Sequence, residues 1–368
     1  MIEVEPPPAK PRAGRRGYAL AALALVVVAV GAVVFARGID PARVGVGAPD
    51  PNNLPVGPEA PRLAGDTGWI NSPPLTEADL AGKVVVYDFW TYSCVNCVRT
   101  LPYLRAWYDR YAPDGLVIVG VHSPEFEFEK ARANVEAATM RLGVTWPVVQ
   151  DNRKAIWDRF ANQWWPAKYV ADRDGKLRYT HIGEGAYTET ENVLRSLLGV
   201  DEAAPRAGSS PDPAETSPAG ALITPETYLG GLRGQTGARA GERTYPEPGP
   251  LVPGEARLVG TWETDEESVY AMQPGAAIVL QYRAREVNLV LAPPRDGVVD
   301  VSVLLDGQPL PPAYRAGDVR VDEAGATTIR VDQPRMYRIV LGPGVEEHQL
   351  RLTAAARGMT AYAFTFGG

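Results

Sequence analysis

Residues 83–102 read KVVVYDFWTYSCVNCVRTLP. Lys83–Trp90 is a short apolar run of the kind that forms a strand buried on both faces. The residues after Cys94 begin a helical pattern that places Leu101, Leu104, Trp107, Tyr108 and Tyr111 on one side. A second apolar strand, Gly115–Val121, follows, and strand–helix–strand of this kind is a βαβ unit. Cys94 and Cys97 are the chain's two cysteines, and they stand where the first strand gives way to the helix. A sulfur at a helix N-terminus faces unpaired backbone N–H groups and the positive end of the helix dipole, which favour the thiolate. Cys94 is therefore the expected nucleophile toward a disulfide. Cys97, one turn further in, is the expected resolving thiol.

Other uses of a CxxC fit less well. Haem attachment needs His directly after the motif, and position 98 is Val; zinc needs further ligands, and no third cysteine exists. A peroxidatic cysteine would follow a Thr three positions back, as Thr91 does, and a Pro seven back, where Tyr87 stands. A structural disulfide in an exported protein stays open as the plain alternative.

Working outward, residues 125–142 read as a helix, Pro147–Gln150 as a short strand, Ala167–Ala171 and Lys176–Ile182 as a hairpin, and Glu189–Leu198 as a closing helix. Upstream, residues 18–36 hold no charge and are long enough to nearly cross a bilayer. Lys10, Arg12, Arg15 and Arg16 precede this run and only Arg37 closely follows it. The positive-inside rule then places residues 1–17 in the cytoplasm, 18–36 as a transmembrane anchor and the remainder outside the cell membrane. A cleaved signal peptide ending near Ala36 is the alternative. Residues 37–58 are a linker rich in Pro and Gly, and 201–221 are a second, built mostly of Pro, Ala, Ser and Gly.

Beyond residue 221 the pattern changes to strands alone: Ile278–Tyr282, Val287–Leu291, Val298–Leu305, Tyr337–Leu341 and Gln349–Leu352. Such spacing predicts an antiparallel sandwich of jelly-roll type over 222–368. A formal net charge of −7 excludes a general nucleic-acid binder.

These residues carry a resemblance. The first segment, 59–200, resembles the thioredoxin superfamily and most closely its membrane-anchored TlpA/ResA-like branch. Asp88, six residues before Cys94, and Pro102 stand where thioredoxins carry an acid and a proline. Within that branch, FWTYSCVNC, VHSPEFEFE, WPAKYVAD, GEGAYTETE, TPETYLG and the terminal AFTFG are similar to the soluble C-terminal part of DipZ-type proteins. Those proteins also carry a multi-span membrane domain, whereas this chain has one candidate span. The resemblance implies an α/β thioredoxin-like domain followed by a carbohydrate-binding-module-like domain. It makes Pro166 the cis-proline beside the CxxC, which turns Trp165 toward a docking polypeptide, and it makes Asp88 the buried acid that handles the proton of Cys97. Glu184 and His122 are expected on the rim of the same groove, where strand C-termini gather functional residues, and Tyr92 joins Trp90, Trp164 and Trp165 in an aromatic surround.

The implied function is a thiol–disulfide oxidoreductase that needs no cofactor beyond a redox-active Cys94–Cys97 disulfide and no metal. Its implied partners are a CcdA/DsbD-like membrane thiol carrier and, as substrates, disulfides of exported proteins or apocytochromes, in cytochrome c biogenesis or redox homeostasis. The alternative is a cell-wall glycan or protein binding module on a thioredoxin-like scaffold. Trp262, Tyr270, Tyr282, Tyr314 and Tyr337 are then the candidate sugar platforms.

Overall fold

In the computed structural model the described residues are 50–51, 53–64, 67–201, 222–234, 236–295 and 297–368. The expected anchor 18–36, nearly all of the second linker and most of the first lie outside them. Among the described residues, no helix is long and apolar enough to cross a membrane.

The first segment is built on β1 (Trp69–Ile70), β2 (Val84–Trp90), β3 (Leu116–His122), β4 (Val148–Gln150), β5 (Ala167–Ala171) and β6 (Leu177–Ile182). The strand order is β1-β4-β3-β2-β5-β6. β2, β3 and β4 run parallel, while β5 and β6 form the antiparallel hairpin that the Asp-Arg-Asp-Gly turn announces. Helices α1 (Glu77–Leu80), α2 (Val95–Tyr111), α3 (Arg132–Leu142), α4 (Ala155–Arg159) and α5 (Tyr187–Leu198) complete it. Strand alternation divides β2 between two cores. Val84, Val86 and Trp90 face the core that holds Cys97, Leu101, Leu104 and Trp107 of α2. Val85, Tyr87 and Phe89 face the opposite core, with Trp157, Phe160 and Tyr169. Asp88 shares parity with Val86 and Trp90, so its carboxyl points to the α2 side.

The helix expected over 125–142 is shorter. Glu127–Lys130 form a 3₁₀ turn, Ala131 is extended, and α3 starts at Arg132. The Glu129 carboxylate accepts the amides of Glu125 and Phe126 at 2.6 and 3.0 Å, a local capture that competes with a helical ladder.

The second segment comprises β7 (Thr227–Tyr228), β8 (Gly241–Tyr245), β9 (Ala256–Thr264), β10 (Val269–Ala271), β11 (Ala277–Ala292), β12 (Val299–Leu305), β13 (Gln308–Pro309), β14 (Val319–Val321), β15 (Thr327–Val331), β16 (Arg335–Ala354) and β17 (Thr360–Gly367). In place of two separate sheets they make one eleven-stranded sheet, antiparallel throughout. The strands expected at 278–282 and 287–291 are halves of β11, and those at 337–341 and 349–352 are halves of β16. Irregular pairing near Ala284–Glu286 bends the pair without ending it. Along one edge β11 exchanges partners, from β9 at Ala277–Leu280 to β17 at Glu286–Ala292. Because β10 joins β9 to β17, the four strands close a ring. The turn Asp306-Gly307 has positive φ at both residues, 50° and 78°, the conformation that tight hairpins demand. Trp262, Tyr282, Tyr337 and Phe364 fill the core of this sheet.

The two sheets pack against each other. Phe126, Val290 and Ala363 are buried together, with Phe128, Tyr228, Met336 and Tyr362 around them. Tyr362 lies 5.0 Å from Phe126 and 4.8 Å from Phe128, ring centre to ring centre. Arg99 of α2 reaches Glu286 of β11 at 2.6 Å and Glu184 at 3.4 Å.

Candidate active site

Cys94 is the N-cap of α2, and its Sγ accepts the backbone N–H of Cys97 at 3.3 Å. The sulfur thus has a donor where the helix dipole is most positive. Cys94 is half-buried, while Cys97 has no exposed surface. Burial, and the sulfur of Cys94 beside it, push the Cys97 thiol well above its ordinary range, and Asp88 adds to the effect. One thiol is offered to a partner and the other is withheld, neutral, behind it.

Asp88 is fully buried. Desolvation pushes its carboxyl up to about 6, and Lys168 pulls in the opposite direction. Lys168 is the main residue that sequence reasoning missed. It stands in register with Asp88 across the β2–β5 pair, is equally buried, and its Nζ lies 3.9 Å from Asp88 Oδ1. Burial lowers its ammonium from the ordinary lysine range, and Asp88, Cys97, Glu184 and Cys94 all act to restore it. Neither carboxyl oxygen nor Nζ has a hydrogen-bond partner among the described residues. This pair is held by charge and closeness alone, so small changes in nearby charge move its protons.

A second buried carboxylate, Glu129, holds the approach to the dithiol. Ser93 Oγ donates to it at 2.5 Å, alongside the amides of Glu125 and Phe126. The turn after β3 is therefore tied to the residue that precedes Cys94.

The Trp165–Pro166 peptide is cis, Pro166 is buried, and Trp165 Nε1 donates to the carbonyl of Ser123 at 3.0 Å. Cys94, Val95 and Asn96 face Gln163, Trp164 and Trp165 across a cleft of about 360 Å³. The cleft's other wall comes from the second segment: Thr224, Glu226, Tyr228, Arg233, Thr365 and Phe366. The structure thus brings together Cys94, Trp165 and, beneath them, Cys97 and Asp88.

Two expected groove residues stand elsewhere. His122 has no exposed surface; it stacks on Tyr92 with ring centres 5.6 Å apart, and burial lowers it to about 3, a neutral imidazole at any physiological pH. Tyr92 is itself 2% exposed and packs on Phe128. Both are core residues that a docking partner cannot touch. Glu184 sits in the ion pair with Arg99, at the junction of the two segments. Of the five candidate sugar platforms, Trp262, Tyr282 and Tyr337 are fully buried.

Sequence comparison agrees with this arrangement. Residues 63–198 match the Redoxin family and residues 224–367 match the family described as thioredoxin like C-terminal domain. By these matches the chain carries thioredoxin-like domains. It is 34% identical over 321 residues to protein DipZ of Mycobacterium tuberculosis, an alignment that covers 84% of this chain and 43% of that protein. The chain thus spans less than half the length of this relative. It is 29% identical over 142 residues to the thiol-disulfide oxidoreductase YkuV of Bacillus subtilis, covering 39% of this chain and 95% of that one. A solved thioredoxin-like protein in its oxidised form is 30% identical, with coverage of 39% of this chain and 97% of that chain and a TM-score of 0.36.

Proposed function

We infer that this chain is a thiol–disulfide oxidoreductase acting as a reductase of protein disulfides. The observation that carries the reading is the division of labour between the cysteines. Cys94 opens into a cleft and accepts an amide N–H, while Cys97 is sealed beneath it over a buried Asp88–Lys168 pair. Cys94 attacks a substrate disulfide and forms a mixed disulfide, expelling one substrate thiol. Cys97 then attacks Cys94 Sγ, releasing the second substrate thiol and leaving an intramolecular disulfide. Asp88, poised near neutrality, accepts the proton that Cys97 must lose. No third cysteine is available in this sequence to reset the pair, so the electrons come from outside it.

The uncharged run 18–36 supports a membrane anchor with the dithiol outside the cell membrane. The reducing partner is then a membrane thiol carrier of the CcdA/DsbD kind, and the substrates are apocytochromes or misoxidised exported proteins. The deciding experiment pairs trapping with redox titration. Cys97→Ser accumulates mixed disulfides with partners, whereas Cys94→Ser accumulates none. Equilibration of the full chain with thiol buffers gives a potential near thioredoxin's, about −270 mV. A value near about −120 mV would mean disulfide donation and would overturn the reductase assignment.

A further inference from the structure

We propose that Glu226, contributed to the cleft by the second segment, is the acid that protonates the thiol expelled when Cys94 attacks a substrate disulfide. The proposal rests on the reading of Cys94 as the nucleophile.

Two independent observations carry it. The first is position: Glu226 and Cys94 line the same cleft from opposite walls. The second is a hydrogen count. The Tyr228 hydroxyl lies 2.7 Å from Glu125 Oε1 and 2.9 Å from Glu226 Oε2, yet it owns a single hydrogen. Arg233 sits on the Glu125 side of this cluster. Its guanidinium donates to Glu125 Oε1 at 2.8 Å and packs 3.8 Å over the Tyr228 ring. The hydroxyl is within donating distance of both carboxylates and serves one at a time; when it donates to Glu125, it turns a lone pair toward Glu226. The contact between Tyr228 and Glu226 is then a hydrogen bond only if Glu226 carries a proton.

The surroundings favour that state. Desolvation in the cleft and the neighbouring Glu125 push the Glu226 carboxyl up to about 7, against smaller opposing effects of Tyr228 and Arg233. Lys154, whose ammonium lies over the Trp157 and Trp165 rings, completes the charged set and feels the charge of Glu125. As a residue Glu226 stays exposed at the cleft mouth, so it can be recharged from water. Once its proton is gone, Tyr228 can turn its hydrogen from Glu125 to Glu226, and Glu125 keeps Arg233. Both protonation states of the acid are thereby satisfied.

The step balances. The Cys94 thiolate forms a bond to one substrate sulfur as the substrate S–S bond breaks. The departing sulfur takes the bonding pair and the Glu226 proton. Cys97 next attacks Cys94 Sγ and displaces the second sulfur, which receives by way of Asp88 the proton that Cys97 loses. Two electrons pass from the dithiol to the substrate disulfide, two thiols leave, and Glu226 remains as a carboxylate until water reprotonates it. An alkyl thiol, with an ordinary value of about 8.5, gains from such an acid; an aromatic thiol, which departs readily as the anion, gains little.

That difference is the test. Single-turnover rates of the pre-reduced full-length chain are measured with two disulfides, that of mercaptoethanol and the aromatic dithionitrobenzoate. Glu226→Gln keeps a polar group of the same shape without a transferable proton. It should lower the alkyl-to-aromatic rate ratio about tenfold or more, and Glu226→Asp, which keeps the acid, should recover much of it. An unchanged ratio in Glu226→Gln, or an equal fall with both disulfides, overturns the proposal while leaving Cys94 as nucleophile. Equal rates for the wild-type chain and Cys94→Ser would instead overturn the underlying reading, and the proposal with it.

Discussion

Lys168 shows how one side chain sets the working range of another. Among the described residues it is the one cation paired with Asp88, and its charge lowers a carboxyl that burial alone would leave higher than about 6. Lys168→Met should therefore raise the Asp88 carboxyl, and the pH at which resolution of the mixed disulfide reaches half its maximal rate should rise with it. Stopped-flow resolution of a preformed Cys94 mixed disulfide, followed against pH, measures this midpoint. A fall in rate with no shift would assign Lys168 a packing role only. The stability consequence has a definite sign. Asp88 binds its proton more tightly in the folded chain than in the unfolded one, so the folded state loses stability as pH rises from about 4 to about 6. The loss is roughly 3 kcal/mol by the usual conversion. Urea titrations of the wild type and of Asp88→Asn/Lys168→Met, which removes both buried charges, should differ in this slope and not merely in midpoint.

At the level of elements, the segment between β2 and α2 is aimed by a neighbour it does not touch in sequence. Glu129 accepts from Ser93 and from two amides of its own turn, so Glu129→Ala orphans three donors around the dithiol. At about 1–3 kcal/mol for each donor left unsatisfied, thermal melts should fall clearly. Alkylation of Cys97 by a small electrophile should speed up as its cover loosens. Unchanged alkylation would show that the turn does not control access. The strand–CxxC–helix element was legible in the sequence because apolar periodicity, cysteine spacing and a single acid in an apolar run all agree there. The strands 84–90, 116–122 and 167–171 follow the hydrophobic pattern to within a residue. The long strands β11 and β16 were read as pairs of short ones. Arg285 and Glu286 in one and Gly342-Pro343-Gly344 in the other look like turns to a local reading, whereas the structure continues both strands past an irregularity that leaves Arg285 and 342–345 out of the pairing. His122 and Tyr92 were misplaced for a related reason: periodicity puts a residue at a strand end, but only tertiary packing says what covers that end. Lys168 and Glu129 lay inside the motifs WPAKYVAD and VHSPEFEFE, yet charged residues are ordinarily solvated, and nothing local marks these two as buried.

At the scale of the whole molecule, the two sheets share a seam: Phe126 and Phe128 against Tyr362, and Arg99 between Glu184 and Glu286. The sequence motifs TPETYLG and AFTFG meet there, since Thr224, Glu226, Tyr228, Thr365 and Phe366 all line the cleft over Cys94. A linear reading treats the second segment as a separate module; the structure makes it half of the cleft. Tyr362→Ala, which removes one ring from two aromatic contacts, should cost about 3–5 kcal/mol at a buried site and less in proportion to its partial exposure. Differential scanning calorimetry should then resolve two transitions where the wild-type residues 50–368 melt in one. Two transitions in the wild type would show that the seam is weak.

The ring of β9, β10, β17 and β11 is closed by the strand that also brings Thr365 and Phe366 to the cleft. On a ribosome, the dithiol at 94–97 is made well before β17. In between, the chain carries its reactive pair of thiols with one wall of the cleft missing. Selectivity at Cys94 is therefore acquired only when β17 finds its place between β10 and β11. The newborn chain meets other disulfides as a less discriminating molecule than the finished one.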